Sequence, residues 1–372
     1  MKINELTAIF NQIAPLHLAE SWDNVGLLVG QSTAKVSKAL ICIDLTESVL
    51  DEAISRNSDM ILAYHPPIFS PLKTITDGDT KARIVLRAIE NKIAIYSPHT
   101  AIDAAEGGVN DWLCEAFGKG SRKPIDSANT SESKQYKIIT FVPQDDQDKL
   151  RIALSKAGAG QIGNYEQCSF TTQGIGTFQG NQASNPTLGD VGRLEHAPEA
   201  RLEMVLPAQR LTQVIDALRQ THPYEEPAFD VIPLASPPVA STVGMGRILT
   251  LDKPLSFNAC VSRLKKHLGV KILNIAKTTA NECSLIRKIG LCAGAGGSLL
   301  EQAGDIDLFI TGEMRHHDVL AAVDGGISVL LAGHTQTERP FLPRLRDMLI
   351  EQGARTISWQ ISEADAPPSV YG

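Results

Sequence analysis

The 372-residue chain has no continuous apolar stretch long enough to cross a bilayer as a helix, a span that takes about 20 apolar residues. Its first residues, MKINELTAIFNQIAPLHLAESWDNVG, carry charge at Lys2 and Glu5 and no apolar run of signal-peptide form. A cytoplasmic protein with no membrane partner is therefore expected. The six cysteines, Cys42, Cys114, Cys168, Cys260, Cys283 and Cys292, contain no C-x-x-C pair. That lacks the spacing of a zinc knuckle or thioredoxin-like motif and leaves reduced thiols as the expectation. Basic residues are in the minority, 35 Lys and Arg against 42 Asp and Glu, and both signs are interspersed. No tail of nucleic-acid-binding character results, and tight duplex DNA binding, which needs many phosphate contacts, is not expected. No long low-complexity tract is present either. The length exceeds what one core usually holds, so two domains are expected.

What is present is alternation. Apolar KALICIDL precedes a helical TESVLDEAISRN; DMILAYHPP reads as a strand, TKARIVLRAIENK as a helix and IAIYSPH as a strand. The last third repeats that alternation. RKIGLCAGAGGSLLEQAG reads as strand, glycine turn and helix, DLFITGE as strand, MRHHDVLAAVDGG as helix and ISVLLAG as strand, before a final long helix from LLAGHTQTERPFLPRL. Strands alternating with helices predict a mainly parallel sheet covered on both faces. Between polar joints at SANTSESK and PLASPPVAST the order changes to β-α-β-β-α-β, the ferredoxin-like order. The fold class read here is α/β: a two-half α/β domain, residues 1–134 and 239–372, interrupted by a ferredoxin-like α+β insert at 135–238.

Ligand sites in open α/β sheets lie beyond the carboxyl ends of strands. His65 follows DMILAY; His99, and four residues on Asp103, follow IAIYSP; Glu313 follows DLFIT, with His316 and His317 soon after; His334 and Glu338, one helical face apart, follow ISVLLAG. Any one of these, taken alone, is more often a turn former, a helix cap or a satisfied buried group than a ligand. Recurrence on one sheet rim favours a cation to offset the crowded charge, and His/Asp/Glu ligation without thiolate suits zinc, iron or manganese in a catalytic type of site. Asp23 in SWDNVGLLVG either fixes a turn or hydrogen-bonds a ligand histidine. The turn CAGAGGS misses both the dinucleotide fingerprint and the P-loop, and serves either as a tight packing turn or as an anion cradle. HPYEEPAFD, with Pro223 and Pro227, is a rigid loop or a separate small site.

SWDNVGLLVG, YHPPIF, SPHTAIDAAEGGVNDWL, GEMRHHDVLAA and GHTQTERPFL occur in the order and character of the Nif-three-like family, the GTP cyclohydrolase 1 type 2 homologues, and the resemblance covers essentially the whole chain. GRLEHAPEARLEMVLP and HPYEEPAFDVIPL resemble the insert of its long form, which is similar in fold to PII and CutA proteins. The resemblance implies two divalent metal ions per subunit (zinc, iron or manganese), facing the inner cavity of a toroidal homohexamer built as a trimer of dimers. By motif, the implied ligands are His65, Asp103, His334 and Glu338, with Glu338 the bridge. Tyr64 departs from the pattern of many bacterial members, which carry a first histidine there; protonated tyrosine, with a pKa of roughly 10, is a poor ligand. One metal then lacks an imidazole unless His99 or a water replaces it; the eukaryotic-type branch also looks like Tyr-His-Pro-Pro.

The implied activity is metal-assisted hydrolysis of a nucleotide or phosphoester such as GTP, with Glu313 or His317, by position, moving protons. The competing expectation is a non-catalytic hexameric platform for regulation or metal handling, whose insert senses a small molecule or partner.

Overall fold

Met60–Ala63 (MILA) and Leu308–Thr311 (LFIT) are buried at every residue, the pattern of strands covered on both faces. The computed structural model that shows them describes residues 1–128, 135–235, 241–279 and 285–368. The architecture is mixed α/β with several sheets, in two compact units: Met1–Ala128 with Ser241–Gly372, and Asn129–Ala240.

The first unit holds two large sheets. One has the order Gly26–Val29, Ala94–Ser97, Met60–Ala63, Lys38–Cys42, Ser358–Ile361, and only its Gly26–Val29 pairing is antiparallel. The other runs Asn274–Ala276, Ser328–Leu331, Leu308–Thr311, Ile286–Cys292, Arg247–Leu255, Gly120–Lys123. Here only the two pairings of Leu308–Thr311 are parallel, which corrects the expectation of mainly parallel sheets. The cause lies at the junctions. The chain leaves through Gly120–Lys123 and Asp126–Ser127 and returns through Gly244–Met245 and Arg247–Leu255, and exit and return pair antiparallel. A segment spliced into a domain needs its two ends side by side, and antiparallel strands supply that.

One core joins both sheets, taking in Ile41, Leu62 and Tyr96 from the first and Leu249, Leu291, Ile310 and Leu330 from the second. Helices close over it where the sequence caps them. Thr46 opens Glu47–Ser55, and Asp79 accepts from Ala82 N (2.9 Å) to open Thr80–Glu90. Ser256 opens Phe257–Leu268, which buries Cys260, Leu264 and Leu268 at four-residue spacing.

Two helix expectations need correction. SLLEQAG forms only short 3₁₀ turns at Gly296–Leu299 and Glu301–Ala303. The final helix is broken: His334–Glu338, a 3₁₀ turn Arg339–Phe341, then Leu342–Glu351. Pro340 lacks an N–H and its ring crowds the preceding turn, so an α-helix does not run through it.

In the second unit, strand Gln135–Pro143, helix Gln147–Lys156, strands Phe170–Gln179 and Leu194–Pro207, helix Leu211–Thr221 and strand Phe229–Leu234 follow one another. The strands lie fourth, first, third, second, all antiparallel. Ala200, Leu202, Met204 and Leu206 alternate onto the face that packs Leu150, Leu154, Val214 and Leu218 of the helices. Part of each polar joint, 129–134 and 236–240, lies outside the described residues.

Candidate metal centre

The carboxyl ends of strands from both sheets of the first unit meet. His65 leaves Met60–Ala63, His99 leaves Ala94–Ser97, and His334 with Glu338 follows Ser328–Leu331. His65 Nε2 lies 3.4 Å from Glu338 Oε2, and His334 Nε2 lies 3.4 Å from Glu338 Oε1. These three side chains offer ligand atoms within 4.8 Å of one another and form a candidate metal site. The His65 ring stands edge-on to both His99 and His334, with centroids 5.3 and 5.4 Å away.

Each imidazole is held from behind by a carboxylate. His65 Nδ1 meets Asp44 Oδ1 at 2.9 Å, His99 Nδ1 meets Asp23 Oδ1 at 2.8 Å, and His334 Nδ1 meets Glu313 Oε1 at 2.9 Å. A carboxylate at Nδ1 keeps a proton there, so that Nε2 is the nitrogen that can offer a lone pair once the ring has lost its second proton, the supporting arrangement common to metal-binding histidines. His99 itself sits at φ +26°, unusual for a residue with a side chain, and Asp23 braces it further by accepting from Thr100 N and Thr100 Oγ1.

Charge is crowded here. Glu338 is 3% exposed, and its Oε2 has no hydrogen-bond partner. Burial works against the charged form of His65, yet the Asp44 and Glu338 carboxylates outweigh it and push the imidazole up to about 10. Asp103 is buried, and that desolvation, with Glu338 nearby, pushes it up to about 6 against the opposing pull of His99 and the Tyr64 hydrogen bond. Asp103 lies outside the three-residue group: it accepts from the buried Tyr64 hydroxyl, while Asn110 Nδ2 donates to its carbonyl (2.9 Å). Tyr64 is pushed far up by burial and the Asp103 charge and stays a neutral donor.

Glu313 is the partner of His334. His317 is exposed in the helix His316–Asp324, its ring against His316 at 5.6 Å, and it is not part of the three-residue group. Asp44, which the sequence reading missed, follows the strand Lys38–Cys42 and was open to the same strand-end rule. The glycine turn is a packing turn: Ala293, Gly294 and Gly296 donate their amides to Asn110 Oδ1, Thr337 Oγ1 and Thr311 Oγ1 at 2.8 to 2.9 Å, which leaves them no anion to bind. Gly294, at φ +63°, also makes room for the cluster. A Cβ there would stand 2.6 Å from Glu338 Oε1 and 3.2 Å from His334 Nε2. Among the described residues, Cys42, Cys114, Cys168, Cys260 and Cys292 are free thiols; Cys283 lies outside them.

Fold and cluster together define an α/β protein with a candidate metal centre at strand ends. The chain belongs to the Duf34/NIF3 (NGG1p interacting factor 3) family, which matches residues 1–368. It is 38% identical over 377 residues to NIF3-like protein 1 of Bos taurus, covering 99% of this chain and 92% of that one. It is 34% identical over 328 residues to the GTP cyclohydrolase 1 type 2 homolog of Halalkalibacterium halodurans, covering 88% and 86%. The crystal structure of a Bacillus cereus protein related to NIF3 superposes with a TM-score of 0.70 at 33% identity, covering 100% of this chain and 99% of that one. Among the described residues no helix is long and apolar enough to cross a membrane.

Proposed function

We propose that this chain is a dinuclear, divalent-metal-dependent hydrolase acting on a nucleotide or phosphoester. The observation that carries the reading is Glu338, a buried carboxylate with one oxygen toward each of two imidazoles and Oε2 without a hydrogen bond. A buried carboxylate needs a positive partner, which is the protonated His65 in the metal-free protein and would be a metal ion once one displaces that proton. The donor types suit zinc, iron or manganese: His65 and His334 would hold an ion through Nε2 and Glu338 through its carboxylate, and Asp103 and His99, which lie outside that group of three, are the further ligands this reading adds. Such an ion supplies Lewis acidity and acidifies water. The chain's own residues orient and shield: Asp44, Asp23 and Glu313 hold the rings, and Tyr64 holds Asp103. GTP is the first substrate to test, since relatives bear the name GTP cyclohydrolase 1 type 2 homolog.

The same reading includes a cytoplasmic homohexamer, a toroidal trimer of dimers, that uses neither membrane nor nucleic acid. It also takes the second unit as a ferredoxin-like insert of PII/CutA type, supported by its β-α-β-β-α-β order and fourth-first-third-second sheet. A second reading, a metal-handling or regulatory platform without turnover, is favoured by one observation. Glu313 is committed to His334 and the His317 ring packs on His316 outside the cluster, so neither proposed proton carrier stands free beside it. The test is to load purified protein with zinc, iron or manganese and supply GTP and simple phosphoesters. Turnover that Glu338→Ala abolishes, at unchanged oligomer mass, supports the hydrolase; stoichiometric metal with no turnover on any of them supports the platform.

A further inference from the structure

The second unit has a cavity of its own, about 810 Å³, a size that suits small-molecule sites. It lies on the sheet face opposite the helices, where strand Phe170–Gln179 contributes Gly174 and Gly176. A Cβ on Gly174 would meet no atom within 4 Å, so a larger side chain there has open space beside the cavity. The Glu199 carboxylate lies across Gly176, where a Cβ would come 2.1 Å from Oε2. Two loops are tied together at the wall: Asn185 N donates to Glu225 Oε2 (2.9 Å) and Thr187 Oγ1 to the Pro223 carbonyl (2.7 Å).

The charges of this cavity do not balance. Glu199 is 8% exposed and has no ion pair among the described residues. Its neighbour Arg201 is drawn away to Glu203 (2.9 Å) and lies over the Phe141 ring. Glu225 and Glu226 add two more carboxylates to the lining against that single guanidinium. The Tyr224 hydroxyl is buried beside the Glu199 carboxylate, and burial, its hydrogen bond to Glu199 and the Glu199 charge all push it up. Phe178 and Tyr224 pack 5.8 Å apart as an aromatic wall. A buried carboxylate with no ion pair, beside aromatic faces, suits a counter-charge of a particular kind: a soft cation with N–H donors.

We propose that this cavity binds a small organic cation with a flat apolar body, its ammonium, amidinium or guanidinium group on Glu199 and its body against Phe178 and Tyr224. The site is independent of the metal cluster and of any hydrolysis there.

Titration calorimetry of the full-length protein with benzamidine, and with benzamide as its neutral isostere, tests it. Benzamidine is expected to saturate one site per chain and to bind about tenfold or more tighter than benzamide, because the difference is one charge-assisted hydrogen-bonded pair. Glu199→Gln is expected to erase that preference. Gly174→Leu, whose Cβ would meet no atom within 4 Å and whose branch extends beside the cavity, is expected to abolish binding of both while circular dichroism and the melting transition stay intact. Absent or unsaturable benzamidine binding overturns the proposal, as does equal affinity for the two probes or undiminished preference in Glu199→Gln. A Gly174→Leu protein whose oligomer falls apart in light scattering also overturns it, since a second copy of the chain then occupies the hollow.

Discussion

Glu338 is buried at 3% exposure between two imidazoles, and the behaviour of the site turns on it and on the groups that aim those rings. Asp44→Asn keeps the size of the side chain and loses the charge at His65 Nδ1. Metal affinity is expected to fall about 10- to 100-fold, read by competition against a chromogenic chelator, with little change in melting temperature. Gly294→Ala sets a Cβ 2.6 Å from Glu338 Oε1 in a left-handed conformation, so the folded protein is expected to retain less metal than wild type. His222, in the other unit, makes a different prediction. Its Nε2 donates to the Phe141 carbonyl (2.9 Å) and its Nδ1 accepts from Tyr224 N (3.1 Å), a pattern only the neutral ring satisfies, and burial lowers its pKa. A base whose folded pKa is depressed stabilises the fold above its unfolded value, near 6.5, and that contribution is lost as pH falls through the lower folded value. Thermal melts between pH 7 and pH 5 are expected to show this decline, and His222→Asn to flatten it.

At the scale of elements, the strand ends are what made the site readable. His65, His99, Asp103, Glu313, His334 and Glu338 each follow an apolar run that the sequence marks as a strand, and the rule that ligands sit beyond carboxyl ends drew attention to them without coordinates, while the structure groups His65, His334 and Glu338. The supporting carboxylates were harder to read, because nothing in the spacing of Asp44 or Glu313 says which ring it will face; that depends on how two sheets abut. His317 is also close in sequence to a strand end, and the helix His316–Asp324 holds it exposed. The pairing of the halves was equally hidden. Gly120–Lys123 comes from the N-terminal part yet edges the second sheet, and Ser358–Ile361 comes from the C-terminal part yet edges the first. Such long-range pairings carry no local signature. Trp359 anchors that last strand, edge-on to Phe10 with its Nε1 donating to the Ala354 carbonyl (3.1 Å). Trp359→Ala is expected to cost about 3–5 kcal/mol in denaturant unfolding, the range for emptying a large aromatic site, and a loss under about 1 kcal/mol would place that strand outside the core.

For the whole molecule, the two units have separate cores, and the proposed ligands are separate too, metal ions in one and a small organic cation in the other. Removing metal with a chelator is therefore expected to lower the melting temperature of Met1–Ala128 with Ser241–Gly372, since a ligand bound only to the folded form stabilises it by mass action, and to leave benzamidine binding unchanged. The central claim is that side chains distant in sequence jointly hold divalent ions. Elemental analysis of protein equilibrated with zinc or manganese and then desalted tests it most directly, with wild type, Glu338→Ala and His317→Ala compared side by side. Close to two ions per chain are predicted in wild type and in His317→Ala, and a loss of at least one in Glu338→Ala. Metal that is absent from wild type, or equally retained by folded Glu338→Ala, contradicts the claim.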